Sequence, residues 1–207
     1  NPNGFVLFVE NENTDTAGHA NDAAALMRAL WAFDKAVQVA IDYQRSHPDT
    51  LVLVAADHET GGLSPTYAQI DLSSMASKNR LYVDVARLKL LDGITLSFNG
   101  MTEKLGKQPK AEVLDALLAK HYPGFRLDAD LREAILAGKP LERNYSYVTA
   151  SALSRMVSRQ TGIYWGTGGH TVEPVAIGAI GPGARLFHGY QDNTDFAKHL
   201  HRLLGAQ

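Results

Sequence analysis

The chain has 207 residues, enough to bury a sizeable core as one domain or as one domain with an insertion. Hydrophobic residues make up 45%, no apolar run approaches the roughly 20 residues of a membrane-spanning helix, and the glycines follow no repeat, which excludes disordered, collagenous and membrane-spanning classes. Twenty basic against 22 acidic residues give a formal net charge of -2, so no broad cationic surface is expected to attract nucleic acid or an anionic membrane, and the absence of cysteine leaves histidine and carboxylates as the strong ligands for any transition metal.

The chain begins Asn1-Pro2-Asn3-Gly4, without an initiator methionine, basic leader or signal-type apolar region, and is expected to be a processed product or a fragment. Phe5 to Val9 is a short apolar run that suits a buried strand, closed by Glu10. From Asp22 to about Arg45, Leu26, Leu30, Phe33, Val37 and Ile41 recur at helical spacing, which predicts an amphipathic helix with Asn21 as its N-cap and His47-Pro48 as its stop. Leu51 to Ala56 is a second apolar run and delivers Asp57 and His58 at its end. Strand, helix, strand predicts a parallel pair with a right-handed crossover, and ligand sites in such sheets lie beyond the carboxyl ends of the strands.

Residues 68–165 have broken, polar patterns with helices expected near Lys110 to His121, Asp128 to Ala137 and Thr149 to Gln160, and read as a largely helical insertion. Pro174 to Ile180 returns to strand character, Gly181-Pro182-Gly183 is a turn, and Asn193 to Leu204 is a capped terminal helix ending at Gly205. The expected organisation is therefore an α/β core in two parts, 1–67 and 166–207, around an insertion at 68–165.

Three segments concentrate metal-ligand residue types, each with the glycine a tight loop needs: Glu10 to His19 with Asp15, Asp57-His58-Glu-Thr-Gly-Gly62, and Gly168-Gly169-His170-Thr171. Singly, each has an ordinary reading: Asp15 and His19 as the polar lead-in to a helix, Asp57 as a cap, His58 and His170 as structural histidines, Glu10 as a strand-end carboxylate. Zinc takes about four nitrogen or oxygen ligands, so side chains from distant segments have to converge.

All three segments in this order resemble the C-terminal half of alkaline phosphatases. The stretches FVLFVENENTDTAGHANDAA, TLVLVAADHETGGL, TGGHTVEPVAIGAIGPGA and DNTDFAKHL carry the resemblance, which covers residues 4–66 and 165–204 and is weak between them. It implies an alkaline-phosphatase-like α/β sandwich with a mostly parallel central sheet, the N-terminal half of the domain lying outside this chain, and residues 68–165 as a lid or crown. It also implies that Asp15, His19 and His170 hold a first zinc, Asp57 and His58 a second zinc, and Glu10 a magnesium. The implied chemistry is phosphomonoester hydrolysis through a phosphoserine intermediate, with two metal ions on the attacking and leaving oxygens. Substrate and inorganic phosphate, the missing half of the protein and a homodimer are the implied partners, and the periplasm or the exterior is the implied location.

Two departures stand out. Asn11-Glu12-Asn13 and Thr16 replace residues that relatives often carry as glycines and as histidine or lysine. The Asp-Ser-Ala nucleophile segment and the phosphate-binding arginine have no counterpart here, so no catalytic nucleophile is assigned and the chain alone is expected to be inactive. A phosphodiesterase or phosphoglycerate mutase of the same superfamily shares the Asp-His logic and is the enzymatic alternative; a non-catalytic metal-binding fragment is the alternative from another class. The chain has no His-Glu-x-x-His or Gly-x-Ser-x-Gly motif; Gly100 to Lys107 has the wrong spacing for a phosphate loop; Asn144-Tyr145-Ser146 is a formal glycosylation sequon.

Overall fold

A computed structural model describes residues 4–69, 80–82, 85–141 and 147–205. The elements in chain order are α1 (Glu12–His19), α2 (Ala23–Ser46), β1 (Val52–Ala55), β2 (Glu59–Thr60), β3 (Leu63–Pro65), β4 (Tyr67–Gln69), β5 (Arg80–Tyr82), α3 (Val85–Leu88), a 3-10 turn at Lys89–Gly93, α4 (Phe98–Leu105), α5 (Ala111–His121), α6 (Ala129–Ala137), α7 (Val148–Thr161), β6 (Ile163–Trp165), β7 (His170–Thr171), β8 (Ile177–Ile180), a second 3-10 turn at Ala184–Phe187, and α8 (Asn193–Leu203). They fall into two compact units, residues 1–29 with 60–171 and residues 30–59 with 172–207. The sequon at Asn144 lies outside the described residues.

The first unit is built around α7, whose Ala152, Leu153, Met156 and Val157 are at most 2% exposed. Around it Phe98 and Met101 of α4, Leu114 of α5, Leu131 and Ile135 of α6, and Leu91, Ile94 and Tyr122 close one hydrophobic cluster. The helical segment between the two halves of the expected core therefore carries the principal buried cluster among the described residues. The ends of α6 and α7 have the expected chemistry: Gly138 and Gly162 take left-handed backbone at φ 61° and 82°, which only glycine adopts freely. After α7 the chain turns into β6, which pairs antiparallel with β3 in the register Leu63 with Trp165 and Pro65 with Ile163.

One carboxylate organises the start of two helices in this unit. Asp22, 1% exposed, accepts the Ala25 amide at 3.0 Å through Oδ1 and the Phe98 amide at 2.8 Å through Oδ2, so it caps both α2 and α4. The cap of α2 is therefore Asp22 and not Asn21 as expected. Asn21 instead has φ 52° and bridges backbone carbonyls with its side chain. Burial raises the Asp22 pKa above its ordinary value, and the backbone N–H groups and Arg28 offset this only in part.

In the second unit β1 and β8 form an antiparallel ladder from Val52 with Ile180 to Ala55 with Ile177. Gly181 permits the entry to this ladder, because a Cβ there would meet the Thr50 carbonyl oxygen and the backbone has φ 101°. Phe187 is buried against the edges of Phe196 and His199 on α8.

The expected parallel pair is not formed. The described sheets are two-stranded, and β1 pairs with β8 rather than with Phe5 to Val9. Residues 5–9 are assigned no strand among the described residues and are 63–84% exposed. The segment expected to be a loop between Glu10 and His19 is instead the helix α1. Gly18 lies inside that helix and serves close approach: a Cβ there would stand 2.9 Å from the Thr60 carbonyl oxygen.

Two outcomes test this description. Asp22→Ala is expected to lower the unfolding free energy by about 2 kcal/mol, through a lost cap and an orphaned buried amide. A raised folded-state pKa means that the folded chain retains this proton after the unfolded chain has lost it. The carboxyl's contribution is thus fullest below pH 3.8 and falls as pH rises through the raised value, so urea unfolding should show a larger cost of the substitution at pH 4 than at pH 8.

Candidate metal centre

Three segments of the first unit meet where α1 ends: α1 with the residues directly after it, Thr60–Gly61, and the turn 167–170. On α1, Asp15 and His19 are one helical turn apart and so share a face. The third member, His170, begins β7 and reaches the same point from far along the chain. His19 Nε2 lies 3.3 Å from Asp15 Oδ2 and 3.3 Å from His170 Nε2, and His170 Nε2 lies 3.7 Å from Asp15 Oδ1. One donor atom from each of the three falls within 4.8 Å of the others, a spacing at which all can bind one ion. Their side chains are 28–48% exposed, so the cluster opens toward solvent.

Surrounding groups fix how these donors face. The ring of His19 makes a 2.7 Å hydrogen bond from Nδ1 to the Gly168 carbonyl oxygen, which can only accept, so Nδ1 carries the proton and the Nε2 lone pair of the neutral ring points into the cluster. Thr60 Oγ1 donates to Asp15 Oδ1 at 2.6 Å and orients the carboxylate. Two imidazole nitrogens and a carboxylate converge on one point, where a cation can replace the proton shared between the two Nε2 atoms. With the outer hydrogen bonds of Asp15 and His19 in place, the donor set fits a zinc-type ion.

The turn before His170 is held by its own carbonyls. Thr167 O accepts from Asn21 Nδ2 at 2.8 Å, Gly168 O from His19, and Gly169 O from the Gly61 amide at 2.9 Å. Gly61 has φ 99°, and a Cβ on it would overlap the Trp165 ring, so this strand end requires glycine.

The remaining expected ligands are placed differently. Asp57 and His58 belong to the second unit, where His58 Nε2 lies 3.3 Å from Asp57 Oδ2 and the His58 amide donates to Asp57 Oδ1 at 3.1 Å; Asp57 is 86% exposed. Glu10 is exposed on the segment leading into α1 and is not part of the three-residue cluster. Thr60 and Asn21 were not singled out as contributors to a site from the sequence. The usable signals were a hydroxyl two residues beyond the Asp-His pair, and an asparagine, a residue tolerant of left-handed backbone, directly before a better helix cap.

Comparison with known proteins bears on the family and the fold. The family profile described as alkaline phosphatase matches residues 1–206. Alkaline phosphatase 3 of Bacillus subtilis (strain 168) is 30% identical over 208 residues, covering 97% of this chain and 40% of that protein. A cold-active alkaline phosphatase from the psychrophile Shewanella sp. superposes with a TM-score of 0.72 at 32% identity, over 98% of this chain and 46% of the other. The alkaline phosphatase of Thermus thermophilus gives a TM-score of 0.81 at 26% identity, over 99% and 44%. The chain thus spans less than half the length of these relatives. Its fold is an alkaline-phosphatase-like α/β fold, and the chain belongs to the alkaline phosphatase family.

Proposed function

We propose that this chain is the metal-binding portion of a zinc- and magnesium-dependent phosphomonoester hydrolase. The observation that carries the reading is the convergence of Asp15, His19 and His170 on one point, with Asp15 held by Thr60 and His19 by the Gly168 carbonyl, in a chain of this family. In this reading the three side chains hold a first zinc, Asp57 and His58 contribute to a second, and Glu10 contributes to a magnesium site. An ion so held supplies Lewis acidity toward phosphate oxygens and activates bound water. Asp15 brings the negative charge that offsets the ion's, Thr60 keeps that carboxylate turned inward, and His19 presents Nε2 because Gly168 retains the proton at Nδ1.

The nucleophile, a serine that forms a phosphoserine intermediate, is assigned to the part of the protein beyond this chain, consistent with the 40% of the Bacillus relative that the chain spans. The same complement is proposed to complete a mostly parallel central sheet in which Phe5 to Val9 is a strand. Residues 68–165 are assigned a lid or crown role at the site or at a subunit interface of a homodimer. A structure of the complete protein with bound phosphate tests this: no residue of 68–165 near the phosphate or at an interface overturns it. Periplasmic or secreted location follows the family reading and is tested by fractionating the source cells; among the described residues no helix is long and apolar enough to cross a membrane.

His170→Ala is expected to abolish stoichiometric zinc binding measured by equilibrium dialysis. His121→Ala, which removes a ring bonded to Thr95 elsewhere in the unit, leaves it unchanged. Binding weakens in acid, since protons compete for the same imidazole lone pairs. Equal zinc content in both variants sinks the ligand assignment. The 207-residue chain alone is expected to show negligible turnover of a chromogenic phosphomonoester with added zinc and magnesium, and the complete protein to turn over the monoester in preference to a chromogenic diester. Faster diester turnover points to the phosphodiesterase alternative, and monoester turnover by the short chain alone means that a serine within it is the nucleophile.

A further inference from the structure

Among the described residues Asn21 is the one non-glycine with positive φ, at 52°, and it is 8% exposed. Left-handed backbone costs any residue with a Cβ on the order of 1 kcal/mol, and glycine would adopt it freely, so an asparagine here has to be explained by its side chain. That side chain spans two elements. Its Nδ2 donates to the Gly18 carbonyl oxygen at 2.9 Å and to the Thr167 carbonyl oxygen at 2.8 Å, and the Asn21 amide also donates to Gly18 O at 2.9 Å. Both contacts demand a donor: the reversed amide would set an oxygen against two carbonyl oxygens.

We propose that Asn21 is a positioning residue for the metal centre, tying the turn that leads into His170 to the end of the helix that carries Asp15 and His19. The inference rests on the reading of those three residues as metal ligands. Gly18 directly precedes His19, and Thr167 lies three residues before His170, so one carboxamide fixes the separation of two ligand-bearing backbones. The carbonyls of Thr167, Gly168 and Gly169 are held in succession by Asn21, His19 and Gly61. Of these three tethers, His19 is itself a ligand and Gly61 acts through its backbone. Among these three carbonyl tethers Asn21 is the side chain whose removal leaves the ligand set intact while loosening the approach to His170. Glycine keeps the backbone conformation without the donor; aspartate keeps the shape but turns a carboxylate onto two carbonyl oxygens. Neither replaces asparagine.

The test uses Asn21→Gly and Asn21→Asp beside the parent protein and His170→Ala. Zinc affinity is measured by competition with a chromophoric chelator, the cobalt form by its visible ligand-field absorption, and the metal-free proteins by thermal unfolding. Asn21→Gly is expected to bind zinc about tenfold more weakly, the size typical of lost support behind a ligand, with an altered cobalt spectrum and little change in the Tm of the metal-free protein. Asn21→Asp is expected to lose at least as much affinity. If the parent binds neither metal, the ligand reading fails and takes this inference with it. If the parent binds, His170→Ala does not, and both Asn21 variants match the parent in affinity and spectrum, the metal reading stands and the positioning role is overturned. It is equally overturned if zinc affinity falls only in step with the metal-free Tm across both variants, for Asn21 then supports the fold alone.

Discussion

Everything at the candidate centre depends on how closely α1 lies against the Thr60–Gly61 backbone. A methyl group at position 18 would stand 2.9 Å from the Thr60 carbonyl oxygen and 3.0 Å from its Cβ, so the absence of a side chain there sets the approach. Because the helix lies so near, the Thr60 hydroxyl reaches the Asp15 carboxylate, and the Asn21 and His19 side chains reach the carbonyls of the turn before His170. A helix contributes two donors at fixed spacing, and a distant turn contributes the third. The turn that leads to the third has its backbone carbonyls engaged in hydrogen bonds, which are directional and short, whereas apolar packing tolerates sliding.

The hydrophobic cluster has a supporting role. It gathers α4 to α7 and brings α7 to end at Gly162, from which β6 runs antiparallel to β3 toward the Trp165–Gly166 turn. Asp22 connects this cluster to the start of α2, since its two carboxylate oxygens serve amides from segments far apart in sequence. That a carboxyl group does this beside an apolar cluster explains why burial dominates its titration; burial first, and then the Asp22 charge, also push the Tyr122 hydroxyl well above its ordinary value.

Much of this was legible from residue order. The helical period from Leu26 to Ile41 and the apolar patterns of 110–121, 128–137 and 149–160 mark elements that the structure forms within a residue or two at each end. Asp15, His19 and His170 could be grouped only through family resemblance, because nothing local to His170 states which distant helix it will meet. The nature of the Glu10–His19 segment was misread for a physical reason: Gly18 and the run of Asn, Thr and Asp residues argue for a loop on local propensity, and tertiary contacts with Thr60, which require the glycine, override it. The parallel pair failed for a different reason. Apolar runs state that a segment prefers burial and leave open which strand will cover it, and β1 takes β8 as its neighbour.

The exposed run from Phe5 to Val9 bears on how the chain behaves in solution. Five consecutive aromatic and aliphatic residues, 63–84% exposed, contain no proline and no charge before Glu10. Such a segment has the composition of a cross-β nucleus. A formal net charge of -2 over 207 residues gives little colloidal repulsion to keep molecules apart. These five side chains, rather than the helical core, are therefore the part of the chain most prone to self-association, and a lysine among them lies apart from the Asp15, His19 and His170 cluster in sequence.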